Sequence, residues 1–249
     1  MKIRLDQLLT ERQLTASREK ARALIIAGKV LVNEQKIQKP GTPVNADCVI
    51  RLLGKQCPYV SRGGLKLAGA LDFFQVSPQD LQCLDVGAST GGFTDCLLQR
   101  GARQVIALDT GHSQLNWKIR SDPRVIVLEK CNFRYVTPET LRALTGLPAL
   151  SIQMAVVDVS FISLEKIFPP LYTVLAPGAK AVALVKPQFE SERSEVGKGG
   201  LVKDPEVHAR VQTAVRNYAL EAGFKVLGET VSAITGTDGN KEFFIYLEK

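Results

Sequence analysis

Four charged residues stand where short apolar runs begin or end. They are Lys66 in Ser61-Arg62-Gly63-Gly64-Leu65-Lys66-Leu67, Asp158 after Val156-Val157, Lys186 after Leu184-Val185, and Glu242 before Phe243-Phe244. Taken singly, each is an ordinary solvated residue at the edge of an element. Taken together, they are two amines and two carboxylates, a set that can move a proton, because a lysine among neighbouring charges can have its pKa lowered enough to act as a general base. A second group of residues lies upstream, where Leu84-Asp85-Val86-Gly87-Ala88-Ser89-Thr90-Gly91-Gly92-Phe93-Thr94-Asp95 runs from an apolar strand through a glycine-rich turn into a helix. Small residues in such a turn let the backbone approach a ligand closely. The loop reads Asp-x-Gly-x-x-x-Gly-Gly, not the G-x-G-x-x-G of a dinucleotide site. One βαβ unit later, Val105-Ile106-Ala107-Leu108 ends in Asp109, whose carboxylate can accept hydrogen bonds from both hydroxyls of a ribose.

The elements that must position these groups follow from the pattern of apolar residues. From about residue 60, short apolar runs alternate with amphipathic segments, the signature of a mostly parallel α/β sheet covered on both faces. The expected strands are Gln82 to Val86, Gln104 to Leu108, Val125 to Leu128, Gln153 to Val157, Ala179 to Val185, Lys225 to Val231, and Phe243 to Leu247. Ligands bind such sheets beyond the carboxyl ends of the parallel strands, and Asp158 and Lys186 fall there.

The first quarter of the chain is different. Of the net charge of +7, almost all the excess lies in residues 1 to 60, which hold 11 Lys/Arg against 5 Asp/Glu, while the remainder is near neutral. A basic module on a neutral body is the footprint of polyanion binding, although a solvated basic surface has the same composition. Leu5, Leu8 and Leu9 have helical spacing. Ser17 is placed to cap a second helix, Arg18 to Ala27, which Gly28 ends, and Val30-Leu31-Val32 and Gln35-Lys36-Ile37 form two short strands around Asn33-Glu34. On the second helix Arg18 and Arg22 share a face away from Ala21, Leu24 and Ile25, with Lys29 just beyond, so a basic stripe is available to phosphates.

These segments carry four resemblances. Arg4-Leu5-Asp6-Gln7-Leu8-Leu9, Ser17-Arg18 and Ala27-Gly28-Lys29-Val30-Leu31-Val32-Asn33 resemble the S4 RNA-binding domain. The glycine-rich loop resembles motif I of class I methyltransferases, which implies S-adenosylmethionine (SAM) as cofactor. The four charged residues resemble the Lys-Asp-Lys-Glu set of FtsJ-like ribose 2'-O-methyltransferases. With Asp158-Val159-Ser160-Phe161-Ile162-Ser163-Leu164 and Val185-Lys186-Pro187-Gln188-Phe189-Glu190, the chain resembles the TlyA (hemolysin A) family throughout.

The resemblance implies a class I SAM-methyltransferase fold at residues 59–249, Rossmann-like, with seven strands of which the last is antiparallel, so that Glu242 reaches the same edge as Asp158 and Lys186. A small α+β S4 domain precedes it at residues 1–58. It further implies transfer of a methyl group to the 2'-hydroxyl of cytidine in ribosomal RNA, with ribosomal RNA or ribosomal subunits as partner and no obligate protein partner. Lys66, Asp158, Lys186 and Glu242 are the expected catalytic residues, Lys186 as the base, Asp158 orienting it, and Lys66 and Glu242 positioning the ribose. Asp85, Gly87, Ser89, Thr90, Gly91, Gly92, Phe93 and Asp109 are the expected cofactor site, with Asp85 near the amino acid moiety. Arg4, Arg18, Arg22 and Lys29 are expected on RNA. Arg62 and Arg134 flank the expected cleft, there to hold phosphates or to make salt bridges. Phe161, beside Asp158, either stacks on a displaced base or packs in the core. The polar, glycine-rich segment 190–203 either closes over RNA or connects elements.

Other function classes fare worse. No apolar stretch approaches the ~20 residues of a bilayer span, and the N-terminal residues lack the apolar run of a signal peptide, so a cytoplasmic protein without membrane association is expected. That argues against a membrane-lytic hemolysin. The five cysteines are scattered, with no C-x-x-C pair, so no metal site is expected. Methylation at another RNA position is the closer alternative; where amino-methyltransferases of this fold carry Asn/Asp-Pro-Pro-aromatic, this chain has Asp158-Val159-Ser160-Phe161.

Overall fold

A computed structural model describes residues 2–53, 57–147, 149–236 and 238–249. The chain divides into two compact units, Met1–Gln56 and Cys57–Lys249.

In the N-terminal unit, β1 (Lys2–Arg4) leads directly into α1 (Leu5–Glu11), and α2 (Arg18–Ile26) follows. Ser17 caps α2 by accepting a hydrogen bond from the Lys20 N–H, and Gly28 leaves the helix end at φ +65°, as the cap and stop residues foretell. Then come β2 (Val30–Val32), β3 (Gln35–Lys36), β4 (Pro43–Asn45) and β5 (Ile50–Leu52). Between β2 and β3, Asn33 and Glu34 both take positive φ, 49° and 66°, the requirement of a tight hairpin turn whose twist matches the strands. The β structure exceeds the expected hairpin: β5 extends it to a three-stranded sheet in the order β3-β2-β5, and β1 pairs with β4. Leu5, Leu8 and Leu9 of α1 meet Ala21 and Ile25 of α2 and Val30, Val32 and Val44 in one small core.

The larger unit begins its regular structure with α3 (Gly63–Phe74), followed by β6 (Gln82–Val86), α4 (Gly92–Gln99), β7 (Gln104–Leu108), α5 (Trp117–Arg120) and β8 (Val125–Leu128). The second half runs α6 (Pro138–Thr145), β9 (Ile152–Val157), α7 (Phe168–Val174), β10 (Leu175–Val185), α8 (Pro187–Glu190), α9 (Pro205–Glu221), β11 (Lys225–Val231) and β12 (Phe243–Glu248). The seven strands form one sheet in the order β11-β12-β10-β9-β6-β7-β8. β12 is antiparallel to both its neighbours, and the β10–β9–β6–β7–β8 pairings are all parallel. Every expected strand is present within a residue at each end except β10, which starts at Leu175. There Leu175 pairs with Ile152 before a bulge resets the register at Lys180 opposite Met154, so Pro177-Gly178 lies inside the strand as an irregularity.

The strand order reverses at β6, between β7 and β9, so the loops leaving β6 and β9 diverge and open a crevice at the carboxyl edge. Apolar side chains from both sheet faces fill two cores, one under α6, α7 and α9 and the other under α3 and α4. The sheet edge is thereby held rigidly, which is what the charged residues at its rim require.

Candidate active site

The loop between β6 and α4 is shaped by what it must avoid. Gly87 sits at φ +89°, and a Cβ there would lie 2.4 Å from the Asp158 carbonyl oxygen, so the two crevice loops touch through a position only glycine can hold. Gly92 opens α4 against the segment before α3, where a Cβ would come 2.1 Å from Ser61 Oγ. That segment is also tied down by Asp95, a buried carboxylate that accepts a hydrogen bond from the Val60 N–H at 2.8 Å. These contacts bring the start of α3, and with it Lys66, to the carboxyl edge.

A cavity of about 550 Å³ opens there, and Lys66, Asp158, Lys186 and Glu242 all line it. They form two ion pairs: Lys66 Nζ lies 2.5 Å from Glu242 Oε2, and Lys186 Nζ lies 2.6 Å from Asp158 Oδ1. Both amines are sequestered, with side chains 12% and 11% exposed. Lys186 Nζ also donates to Ser160 Oγ at 3.0 Å and sits 5.8 Å from the centre of the Phe189 ring. Gly63, Ser89, Thr90, Gly92 and Phe93 complete the wall on the α3–α4 side.

A second cavity, about 440 Å³, adjoins the first and shares Gly87, Ser89, Asp158, Ser160 and Phe161 with it. Asp109 lies in its wall, with one carboxylate oxygen accepting the Ser89 N–H at 2.8 Å and the other the Gly111 N–H at 2.6 Å. Each oxygen keeps a second lone pair for a hydroxyl donor. Leu108, Cys131, Phe133, Ile162 and Ile167 make the rest largely apolar, with Asn132 among them. Cys131, Asn132 and Phe133 were not among the expected residues; they follow β8 with no glycine-rich or charged signature, and only strand order reveals that they face Asp109.

Two expected cofactor residues are placed differently. Asp85 lies beneath the cavities, fully buried and absent from their walls, because its strand is buried on both faces and the side chain turns toward α4. There the Thr94 hydroxyl donates to Asp85 Oδ2 at 2.6 Å. Gly91, at φ +92°, backs onto Leu115 and Ile119, and so shapes the start of α4 from behind.

Burial pushes the Asp85 carboxyl up to about 7, opposed by the Thr94 hydrogen bond and reinforced by the negative charges of Asp158 and Asp109. A folded-state value above the ordinary 3.8 means that the associated stability is complete below about pH 4 and is lost as pH rises through about 7. Asp85→Asn keeps an acceptor for Thr94 but cannot ionise. The variant should therefore be more stable than the parent at pH 8, by on the order of a few kcal/mol, and similar to it at pH 4 and below. Thermal melts of the free protein across that range check this, and equal pH dependence in the two would refute it.

The residues expected on RNA fall into three places. Phe161 is 90% exposed, which excludes a core role; it lines both cavities, with its ring centre 4.9 Å from that of Phe189. Its φ of +62° is rare for a bulky residue and holds the ring out at the mouth. Arg62 lines the first cavity and donates to the Thr235 carbonyl at 2.9 Å. Arg134, by contrast, does not flank the cleft. It lies over the Tyr135 ring and lines a separate depression beside Lys166 and Tyr172, because the short helical turn Phe133–Tyr135 directs Phe133 inward and its neighbour outward.

In the N-terminal unit, Arg22 and Lys29 are exposed, while Arg4 and Arg18 converge on buried Asp6 at 3.0 and 3.2 Å. The Arg4 hydrogen bond, with that of Arg18, holds the Asp6 carboxyl down at about 2, against the cost of its burial. Each arginine side chain is half exposed and keeps donors for an anion. Segment 190–203 is anchored, not open: Asn240, buried, accepts the Val202 N–H at 2.9 Å and donates to the Gly200 carbonyl at 2.8 Å, and His208 Nε2 meets the Val202 carbonyl.

Comparison with known proteins agrees with this architecture. The FtsJ-like methyltransferase family model matches residues 59–249, and the S4 domain model matches residues 3–50. A candidate rRNA methyltransferase of Bacillus subtilis, YqxC, is 50% identical over 99% of this chain and 85% of its own length. The 16S/23S rRNA (cytidine-2'-O)-methyltransferase TlyA of Mycobacterium tuberculosis is 42% identical over 98% of this chain and 89% of its own. A solved structure of a candidate hemolysin from Streptococcus thermophilus is 43% identical with a TM-score of 0.77, covering 100% of this chain and 88% of that one. The chain thus belongs to the FtsJ-like methyltransferase family, in the branch that joins an S4 domain to this fold and includes the TlyA proteins.

Proposed function

We propose that the protein methylates the ribose 2'-hydroxyl of a cytidine in ribosomal RNA, with SAM as the methyl donor. The observation that carries this reading is the pairing of Lys186 with Asp158 and of Lys66 with Glu242 around one cavity that adjoins the Asp109 cavity. An alcohol must lose a proton to become a competent nucleophile, whereas a base nitrogen brings its own lone pair; two sequestered lysines suit the former.

The paired cavities fit SAM. Asp109 would hold its ribose hydroxyls, the apolar wall of Leu108, Phe133 and Ile162 its adenine, and the backbone of Gly87 to Thr90 its amino acid part. SAM supplies a methyl group on a positively charged sulfur, which departs as a neutral thioether. Lys186 is the proton acceptor: the ribose O–H bond breaks, an N–H bond forms, and the oxygen lone pair is freed to bond to the methyl carbon. Asp158 holds the amine in place, and Lys66, fixed by Glu242, donates to the ribose. Phe161 offers a stacking surface to a nucleotide that is unpaired or flipped from its helix, since a duplex hides its sugars from so enclosed a site. Arg4, Arg18, Arg22 and Lys29 supply phosphate contacts of the kind that dominate RNA affinity.

Alkaline hydrolysis tests the chemistry. A 2'-O-methyl group removes the hydroxyl that attacks the neighbouring phosphate, so rRNA labelled from methyl-labelled SAM should yield label in alkali-resistant dinucleotides. Label confined to mononucleotides would mean methylation of a base.

A further inference from the structure

We propose that Ser160 is a positioning residue that sets the direction in which Lys186 presents its amine. The inference rests on the reading that Lys186 accepts the ribose proton, and goes beyond it in naming what aims the lone pair.

A lysine amine at the end of four methylene groups has no intrinsic direction. Here two neighbours define one: Asp158 Oδ1 lies 2.6 Å from Lys186 Nζ as its ion-pair partner, and Ser160 Oγ, at 3.0 Å, accepts a hydrogen bond from it. The hydrogen bond to Ser160 fixes the direction of one N–H, and the carboxylate fixes the side of the nitrogen on which the ion pair lies. Asp158 alone, held by charge, would leave the amine free to turn about its last carbon–nitrogen bond, sweeping its accepting face around a cone; the Ser160 hydrogen bond removes that freedom.

Ser160 is suited to the role by its place in the chain. It follows Asp158 by two residues on the loop leaving β9, so both anchors move together, and both line the two cavities at their junction. The following residue, Phe161, at φ +62°, sharply redirects the backbone after the serine. Among the described residues the hydrogen bond of the Ser160 side chain is the one to Lys186, so the hydroxyl is not spent on capping a helix, as that of Ser163 is three residues on.

The test is single-turnover methyl transfer to rRNA, measured with RNA and SAM affinities, for Ser160→Ala, Ser160→Thr and Lys186→Ala. Ser160→Ala should lower the transfer rate by on the order of 10- to 100-fold, the usual penalty for misplacing a reacting group by an ångström or so, with both affinities changed less than about twofold. Ser160→Thr, which keeps the hydroxyl, should recover most of the rate. An unchanged rate in Ser160→Ala, a parallel loss of SAM affinity, or a threonine variant as slow as the alanine variant would overturn the proposal. If Lys186→Ala itself retains full transfer, the reading of Lys186 as base fails first. An inactive Lys186→Ala beside a fully active Ser160→Ala fails the positioning role alone.

Discussion

Replacing Lys186 with alanine should reduce methyl transfer by at least about 10³-fold while SAM affinity stays within about threefold of the parent. The size of the effect follows from two losses. The base is gone, and in its absence Asp158, no longer paired, is left as a lone carboxylate, 22% exposed, beside the reacting centre. SAM affinity is spared because the residues proposed to hold its adenosine, Asp109 and the apolar wall around Phe133, lie in the adjoining cavity. Lys186→Arg sharpens the test: it preserves the positive charge and an ion pair with Asp158, but a guanidinium does not give up its proton in a protein, so it should be as inactive as alanine. Equal activity in the arginine variant would reduce Lys186 to an electrostatic role.

The second large effect is expected at Gly87, which touches no proton in the reaction. Gly87→Ala should lower the melting temperature and weaken both SAM binding and transfer. Its φ of +89° is strained for any side chain, and the new Cβ would sit 2.4 Å from the Asp158 carbonyl oxygen. Backbone strain and overpacking cost about 1–3 kcal/mol each, so several degrees of melting temperature are expected. Relief can come only by parting the loops that follow β6 and β9, and that displaces Asp158 from Lys186. Calorimetric SAM titration alongside thermal melts checks this; an alanine variant with unchanged stability and affinity would show that the two loops do not need their close approach.

Why the site was legible while parts of its support were not has a physical basis. Strands buried on both faces are runs of apolar residues, so their ends are marked wherever a charge follows, and Asp109, Asp158, Lys186 and Glu242 are all such marks. The N-cap Ser17 and the Asn33-Glu34 turn announce themselves by local backbone chemistry. By contrast, β1 and β4 are three residues each and pair across some forty positions, and neither has an alternation long enough to read. Asn240 looks like one more polar loop residue until the fold folds segment 190–203 onto its amide. Whether an acidic residue at a strand end faces a cavity or a helix depends on what stands opposite; for Asp85 that is the Thr94 hydroxyl, nine residues away on α4. Phe161 illustrates the same limit in reverse: its residue type suits a core, and only its left-handed backbone puts the ring at the mouth of the cavity.

On the proposed function, two lysine–carboxylate pairs direct a methyl group onto a cytidine 2'-oxygen in ribosomal RNA. Nucleoside analysis of rRNA and of ribosomal subunits after incubation with the protein and methyl-labelled SAM measures this product itself. The label should co-migrate with 2'-O-methylcytidine and disappear with Lys186→Ala; label on a base-methylated nucleoside, or on ribosomal protein, would overturn the ribose reading.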